Sequence, residues 1–434
     1  MSDSGPRALA RRVLDRVDRG GAWATPTLDG ELQRAGLDDR DRRLASELVY
    51  GVLRHRARID RALAAHAKLD KSPPKVRTAL RVAAYQVLFL DRVPSYAAVD
   101  DAVDAARAVA GPKLAGFANA VLRKLVAQRE PALPPAGRAR IELEHSLPTW
   151  IADELASAIS PTRDPADADL VELDAGAAAF AKSAPLVARV NRLRTTREAL
   201  ITELATEGVT ATPVGSAGLV LEGAGDPSKS ASFIAGRWTV QDAGAQHVAE
   251  LAVAGRDNLG QLRILDACAG VGGKATHLAE LTDDRANIDA ADLSQTKLDL
   301  GAETARRLGL TSIHPVHGDL TDPRMPLATS YDVIVLDAPC TGLGVLRRHP
   351  DAKWRLLPTD VARLAAIQRD LLDAVARRLA PGGSLIYSVC TFTRAEGPDQ
   401  VRALAARTGL RILAESRTWP PAADGFYLAK LGLG

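Results

Sequence analysis

Cysteine is scarce in this 434-residue chain, with three in all, at positions 268, 340 and 390. So sparse and odd a count excludes a disulfide framework. The lack of any C-x-x-C or nearby His pair excludes a structural metal site, and no metal is expected. No stretch is apolar for the ~20 residues that a bilayer span needs. The opening MSDSGPRALARRVLDRV is charged at helical spacing and has no apolar signal core. A soluble, cytoplasmic protein that works as a monomer, with no membrane partner, is the expectation. Internal repeats are absent, and so are two nucleotide signatures. The one glycine-rich turn is not G-x-G-x-x-G, and it is not a Walker A loop, because Lys274 is followed by Ala275.

What is present divides the chain by charge. Residues 1–140 hold 26 Lys and Arg against 16 Asp and Glu, while the remainder holds 30 against 37. A basic module joined to a mildly acidic one points to a polyanionic partner for the first. Apolar residues recur at three and four in Ala8–Val17, Leu44–Leu53, Ile59–Ala64, Leu80–Phe89, Ala97–Ala108 and Phe117–Leu125, with Pro73-Pro74 and Pro94 between them. This predicts an all-α helical bundle over 1–128. The proline-rich stretch Glu130–Arg138 reads as part of a linker over 129–144. Residues 145–236 then mix helix (Trp150–Ile159, Thr196–Glu207) and strand (Pro185–Val190, Leu219–Leu221), as a small α+β module. From 237 to 434 the rhythm becomes β-α-β, with strands at Leu262–Leu265, Ile288–Ala291, Ile313–Val316, Val333–Leu336 and Ser384–Ser388. That alternation predicts a Rossmann-like α/β domain built on a doubly wound parallel sheet.

The first strand of that domain runs into Asp266-Ala-Cys268-Ala269-Gly270-Val271-Gly272-Gly273-Lys274 and then a helix. Strand, glycine turn and helix together present backbone N–H groups to a ligand. Asp292 ends the next strand and suits ribose hydroxyls; Asp319 ends the third and suits an adenine amine. Asp337 ends the fourth. An acid-lined edge without a phosphate loop fits a sulfonium nucleoside, S-adenosylmethionine, better than a dinucleotide. Cys340 follows the strand Val333–Leu336, and Cys390 follows Ser384–Ser388, so both thiols fall at the edge where such folds bind ligands. Buried packing is the common fate of free cysteine. Here, however, Arg347, Arg348, Lys353 and Arg355 follow Cys340, and a basic surround would favour thiolate and hold phosphate.

These segments resemble the RNA 5-methylcytosine methyltransferases, and among them the bacterial small-subunit ribosomal RNA enzymes of the Sun (Fmu, RsmB) type. The resemblance rests on Asp266–Lys274, on Asp337-Ala-Pro-Cys-Thr-Gly-Leu-Gly344 with Arg347–Arg355, and on Tyr387-Ser-Val-Cys-Thr391. Val240-Gln-Asp242 and Asp424-Gly-Phe-Tyr427 also fit. Upstream, His145–Trp150 and Arg189-Val-Asn191 resemble that family's intermediate RNA-binding part. Asp41–Arg54 and Gly116–Arg123 resemble its NusB-type helical domain. Three departures stand out: Gly270-Val271 replaces the usual Ala-Pro, Val389 replaces the Thr before Cys390, and the Glu-Asn common shortly after it reads Glu396-Gly397.

The resemblance implies S-adenosylmethionine as cofactor, held by residues 268–274, Asp292, Asp319 and Asp337, and small-subunit ribosomal RNA as partner. It assigns the nucleophile to Cys390, proton removal and enzyme release to Cys340, and a bond to the base to Asp337. Lys274 and Arg348 would hold phosphate or carboxylate groups. Two other classes stay open at this stage. A DNA cytosine methyltransferase would use the Pro-Cys motif alone, and a non-catalytic antitermination-type RNA-binding factor would have no use for two intact thiols.

Overall fold

The computed structural model describes residues 5–162 and 164–433. The chain divides into two compact units, one containing residues up to Lys182 together with Leu346–Leu356, the other Ser183–Val345 and Leu357 onward.

The first unit is helical, and in its core Leu9, Val13, Leu48, Val52, Leu80 and Leu122 are buried together. The long helix Ser95–Gln128 breaks at Gly111, whose φ of 78° lies in the left-handed region, and Pro112 follows it. The two apolar runs read on either side are therefore separate helical pieces. The expected linker is only partly one. Arg58 pairs with Glu130, and Arg61 donates to the carbonyls of Pro131 and Ala132. Arg138–Glu144 is then a helix. The helices Thr149–Ile159 and Leu170–Ala181, which sequence spacing grouped with the α+β module from 145, lie in the helical unit. Their apolar faces, with Ile151, Leu155, Leu173 and Phe180 buried, pack helix against helix.

The second unit holds two sheets. The small one comprises β1 (Leu186–Val190), β2 (Thr210–Val214), β3 (Gly218–Glu222) and β4 (Trp238–Val240), in the order β2-β3-β1-β4. All its pairings are antiparallel. The large one comprises β5 (Arg263–Ala267), β6 (Asn287–Asp292), β7 (Ile313–His317), β8 (Tyr331–Asp337), β9 (Leu379–Val389), β10 (Arg411–Thr418) and β11 (Phe426–Gly432), in the order β10-β11-β9-β8-β5-β6-β7. Five strands run parallel, as the β-α-β rhythm predicted. The sheet as a whole is mixed, because β10 and β11 form an antiparallel hairpin on β9. The β10 strand sits at the edge with no buried residue, so it lacks the continuous apolar run that marks a buried parallel strand. Among the described residues, no helix is long and apolar enough to cross a membrane.

Leu346–Leu356 contributes to the helical unit through its polar side chains. The helix Asp39–Arg54 ends with unsatisfied carbonyls. Trp354 Nε1 donates to the carbonyl of Leu53 at 2.6 Å, and Lys353 Nζ donates to that of Arg54 at 2.9 Å. The helix Ala24–Arg34 has no side-chain cap of its own. Asp351 Oδ2 accepts from its first amide, Ala24 N, at 3.0 Å. An acid thus sits at one helix N-terminus and an amine at another's C-terminus, both as the helix dipole favours.

Burial, with the Arg54 charge second, pushes the Lys353 ammonium down to about 7. The unfolded chain therefore binds one more proton than the fold between pH ~7 and ~10. The penalty for burying the charge is complete below that window and vanishes above it. Wild-type protein is expected to gain stability as pH rises from ~7 to ~10, and Lys353→Met to lose that share of the slope. Thermal unfolding of both proteins across this range checks it; parallel pH profiles would show that Lys353 is charged in the fold.

Candidate active site

The strand β5 delivers the chain to a turn that needs unusual backbone. Cys268, Gly270 and Gly272 have φ of 60°, 58° and 77°. A Cβ on Gly272 would lie 3.2 Å from Gly301 Cα, so the turn packs against the neighbouring helix Gln295–Leu308 as only glycine allows. The end of β6 fixes the turn from the side. Asp292 Oδ2 accepts from Gly270 N at 2.9 Å, its Oδ1 accepts from Ser294 N at 2.8 Å, and Ala269 N donates to Ala291 O.

Beside the turn opens a cleft of about 670 Å³ at the carboxyl ends of the parallel strands, a size suited to a nucleoside-class ligand. Cys268, Gly270, Asp292, Asp319, Asp337, Cys340 and Cys390 all line it. The remaining turn residues do not. Ala269 and Gly272 face a small apolar cavity of about 30 Å³ under the turn. Val271 is 53% exposed. The carbonyl of Gly273 is taken by Arg189 and Gln241, and Lys274 is turned inward to Asp337. Asp370 and Lys297 join the lining, making it rich in carboxylates with a single cation. That donor set suits a positively charged nucleoside with hydroxyls to bind and has nothing built for a polyphosphate.

The two thiols meet. Strands β8 and β9 are parallel neighbours with Asp337 opposite Ser388. The turns that follow bring Cys340 Sγ to 3.4 Å from Cys390 Sγ. The contact with Cys390 and then burial push the Cys340 thiol well up. Burial, followed by Asp292, Asp337 and Asp266, pushes Cys268 up to about 12. The basic surround read from Arg347–Arg355 is therefore not what tunes the thiols: Lys353 is a buried helix cap, and Arg347 is 6% exposed in the same segment. The charge beside the sulfurs is Lys274, whose ammonium is held above its usual range despite burial, chiefly by Asp337.

Asp337 is held at both oxygens. Its Oδ2 receives Lys274 Nζ at 2.5 Å, and its Oδ1 receives Ser388 Oγ at 2.6 Å. Asp266 lies fully buried behind them, and burial raises its carboxyl to about 7 against the pull of Lys274. Ser388 carries no signal of its own in the sequence. It lies within the Tyr387–Thr391 segment, and its register opposite Asp337 places it at the site. Glu396, known from sequence only as the first member of a departed Glu-Asn pair, is fully buried behind the thiols.

Arg189, in the segment that resembles the family's intermediate part, is completely buried. Its guanidinium donates to both oxygens of Glu280 at 3.1 and 2.7 Å, and to Gln241 Oε1, the Gly273 carbonyl and Thr276 Oγ1. It braces the first turn of the helix Gly273–Leu281 that follows the glycine turn. Burial raises the Glu280 carboxyl even with Arg189 beside it, so the pair is expensive to separate.

Comparison with known proteins gives the chain's relatives. Residues 257–432 match the 16S rRNA methyltransferase RsmB/F family, residues 4–127 the NusB family, and residues 172–227 the ferredoxin-like domain of RsmF/B-like methyltransferases. The chain is 35% identical over 421 residues to a probable ribosomal RNA small subunit methyltransferase B of Synechocystis, covering 95% of this chain and 90% of that one. It is 35% identical over 439 residues to the ribosomal RNA small subunit methyltransferase B of Vibrio cholerae, covering 98% and 96%. In fold it is similar to the crystal structure of PH0851, with a TM-score of 0.80 at 22% identity over 100% of this chain and 99% of that one.

Removing one partner of a buried ion pair leaves the other charge unpaired, at a cost of about 3–5 kcal/mol. Arg189→Met is expected to lose stability of that order, and adding Glu280→Leu to recover most of it. Chemical denaturation of both variants checks this. An Arg189→Met protein as stable as wild type would show that the pair does not brace the fold.

Proposed function

Because this chain belongs to the S-adenosylmethionine-dependent ribosomal RNA small subunit methyltransferase B family, we propose that it methylates carbon 5 of a cytosine in small-subunit ribosomal RNA through a covalent cysteine adduct. The observation that carries this reading is the 3.4 Å approach of the Cys340 and Cys390 sulfurs in an acid-lined cleft. Bound there, S-adenosylmethionine would supply an electrophilic methyl on sulfonium. Asp292, Asp319 and the glycine turn are the residues to hold it, with Asp292 already committed to the Gly270 and Ser294 amides.

Carbon 5 of cytosine is a poor nucleophile until a group adds at carbon 6. Cys390 is the attacking sulfur. The neutral Cys340 thiol can donate to it, and the Lys274 ammonium lies close enough for mutual electrostatic stabilisation. Asp337, steadied by Lys274 and Ser388, is the group to bond the base edge at ring nitrogen 3 and stabilise the adduct. The Cys340 thiol is raised first by its contact with Cys390, and also by the charge on that sulfur. Once Cys390 is bonded to carbon, both influences disappear. Cys340 then ionises more readily, which is the state that takes the carbon-5 proton and permits release. The target base must leave its stack to enter the cleft, and the basic first 140 residues suit phosphate contacts along the RNA.

The two thiols are expected to fail differently. Cys390→Ala should be inactive and leave no covalent complex. Cys340→Ala should form the adduct and resolve it slowly, so that a protein–RNA species survives denaturing electrophoresis. Trapping with Cys390→Ala instead would reverse the roles, and no trapping with either variant would count against an adduct mechanism.

A further inference from the structure

Two neighbouring loops do not hold two sulfurs at a set distance unless something stiffens them. Behind the thiols lies a buried polar cluster centred on Glu396. Its Oε1 accepts from Thr341 N at 2.8 Å and Gln368 Nε2 at 3.1 Å. Its Oε2 accepts from Thr341 Oγ1 at 2.6 Å and Thr393 Oγ1 at 2.8 Å. Four donors fill the roughly four acceptor sites of one carboxylate. Because the Thr341 hydroxyl spends its proton on Glu396, it must accept from Thr391 Oγ1, 2.9 Å away.

The partners are distributed in a telling way. Thr341 immediately follows Cys340, Thr391 immediately follows Cys390, and Thr393 lies two residues further on. Gln368 also donates to the carbonyl of Pro339, immediately before Cys340, at 2.9 Å. Glu396 is itself anchored, because Tyr387 Oη donates to its backbone carbonyl at 2.6 Å. Glu396, Thr341, Thr391 and Thr393 are at most 3% exposed, so water does not compete for these bonds.

We infer that Glu396 is a positioning residue that locks the Cys340 and Cys390 loops into one rigid piece and thereby sets the gap between the two sulfurs. Its importance for turnover rests on the proposed adduct mechanism; its control of the gap does not. A carboxylate is the group that can receive all four donors. An amide of the same shape presents N–H groups toward the Thr341 and Thr393 hydroxyls, which now donate, so both must reverse or detach. Asp would be one methylene short of spanning the two loops.

The gap can be read without RNA or cofactor. Phenylarsine oxide bridges two nearby thiols: two S–H bonds are exchanged for two As–S bonds and the oxide oxygen leaves as water. Both sulfurs line the cleft and are accessible to a small reagent. Wild-type protein, with Cys268→Ser as the background, should be bridged by one equivalent. Glu396→Gln should bridge at least ~10-fold more slowly, with the melting temperature near wild type. In methyl transfer it should lower kcat by roughly 10- to 100-fold while KM for RNA and for S-adenosylmethionine stays within about twofold, as expected for a misplaced reacting group. Wild-type bridging and kcat in a folded Glu396→Gln protein would overturn the inference, as would a lowered melting temperature with both unchanged. Should Glu396→Gln not fold, Thr341→Val keeps the backbone bond and removes only the hydroxyl link; the same two results decide. If wild-type protein bridges as expected yet methylates no cytosine, the reaction assigned above fails while the positioning role stands.

Discussion

The pairing of β8 with β9 is the constraint on which the site depends. The strands are parallel and in register at Leu336–Tyr387 and Asp337–Ser388. Two turns of similar length leave that level on the same sheet edge, one reaching a cysteine three residues on and the other two residues on. Parallel pairing is what puts both at the carboxyl end, where the glycine turn after β5, itself paired to β8, also emerges. A slip of one residue would turn Asp337 and Ser388 to opposite faces and break their hydrogen bond. The same register that packs Leu336 and Tyr387 into the core thus assembles the acid, its serine and the two thiols.

Around that register the polar groups are buried in saturated sets. Arg189 uses its guanidinium on Glu280, Gln241, Thr276 and the Gly273 carbonyl. Asp337 accepts from Lys274 and Ser388, and Glu396 accepts from four donors. A buried polar group is tolerable when its bonds are made and costly when one is lost. Apolar packing alone would leave the loops after β8 and β9 free to shift by fractions of an ångström. Directional bonds to fixed partners hold those loops, and the two sulfurs they carry, at a set distance.

Much of this arrangement was legible in the sequence. The strands Val333–Leu336 and Ser384–Ser388 are apolar runs bounded by Pro and Gly turns, and the glycine turn lies between a strand and a helix. Asp292, Asp319 and Asp337 stand at strand ends, so their convergence on one edge follows from topology. What sequence spacing misplaced were the charged residues that do not behave as surface. Lys353 and Arg347 read as a basic flank to Cys340 but are buried in the helical unit. Arg189 had no individual role read from sequence, and its partner Glu280 lies 91 positions away. Local pattern assigns a lone Arg or Lys to solvent. Only tertiary pairing, which has no short-range signature, reveals the exceptions. The β10–β11 hairpin escaped notice for the opposite reason, because its edge strand carries polar residues at most positions.

The electrostatics of the cleft follow from these placements. Carboxylates outnumber cations there, and each negative charge near a sulfur disfavours a second. Burial, and after it Asp292, Asp337 and Asp266, raise Cys268; the contact with Cys390 and burial, and after them Glu396 and Asp337, raise Cys340. A site with that balance keeps Cys268 and Cys340 protonated at rest and gives them little reactivity. Cys390 is distinguished by its neighbours: a protonated thiol in contact with its sulfur, and the Lys274 ammonium within electrostatic range. The three cysteines thus meet different surroundings, which arise from where the β5, β8 and β9 turns deliver them.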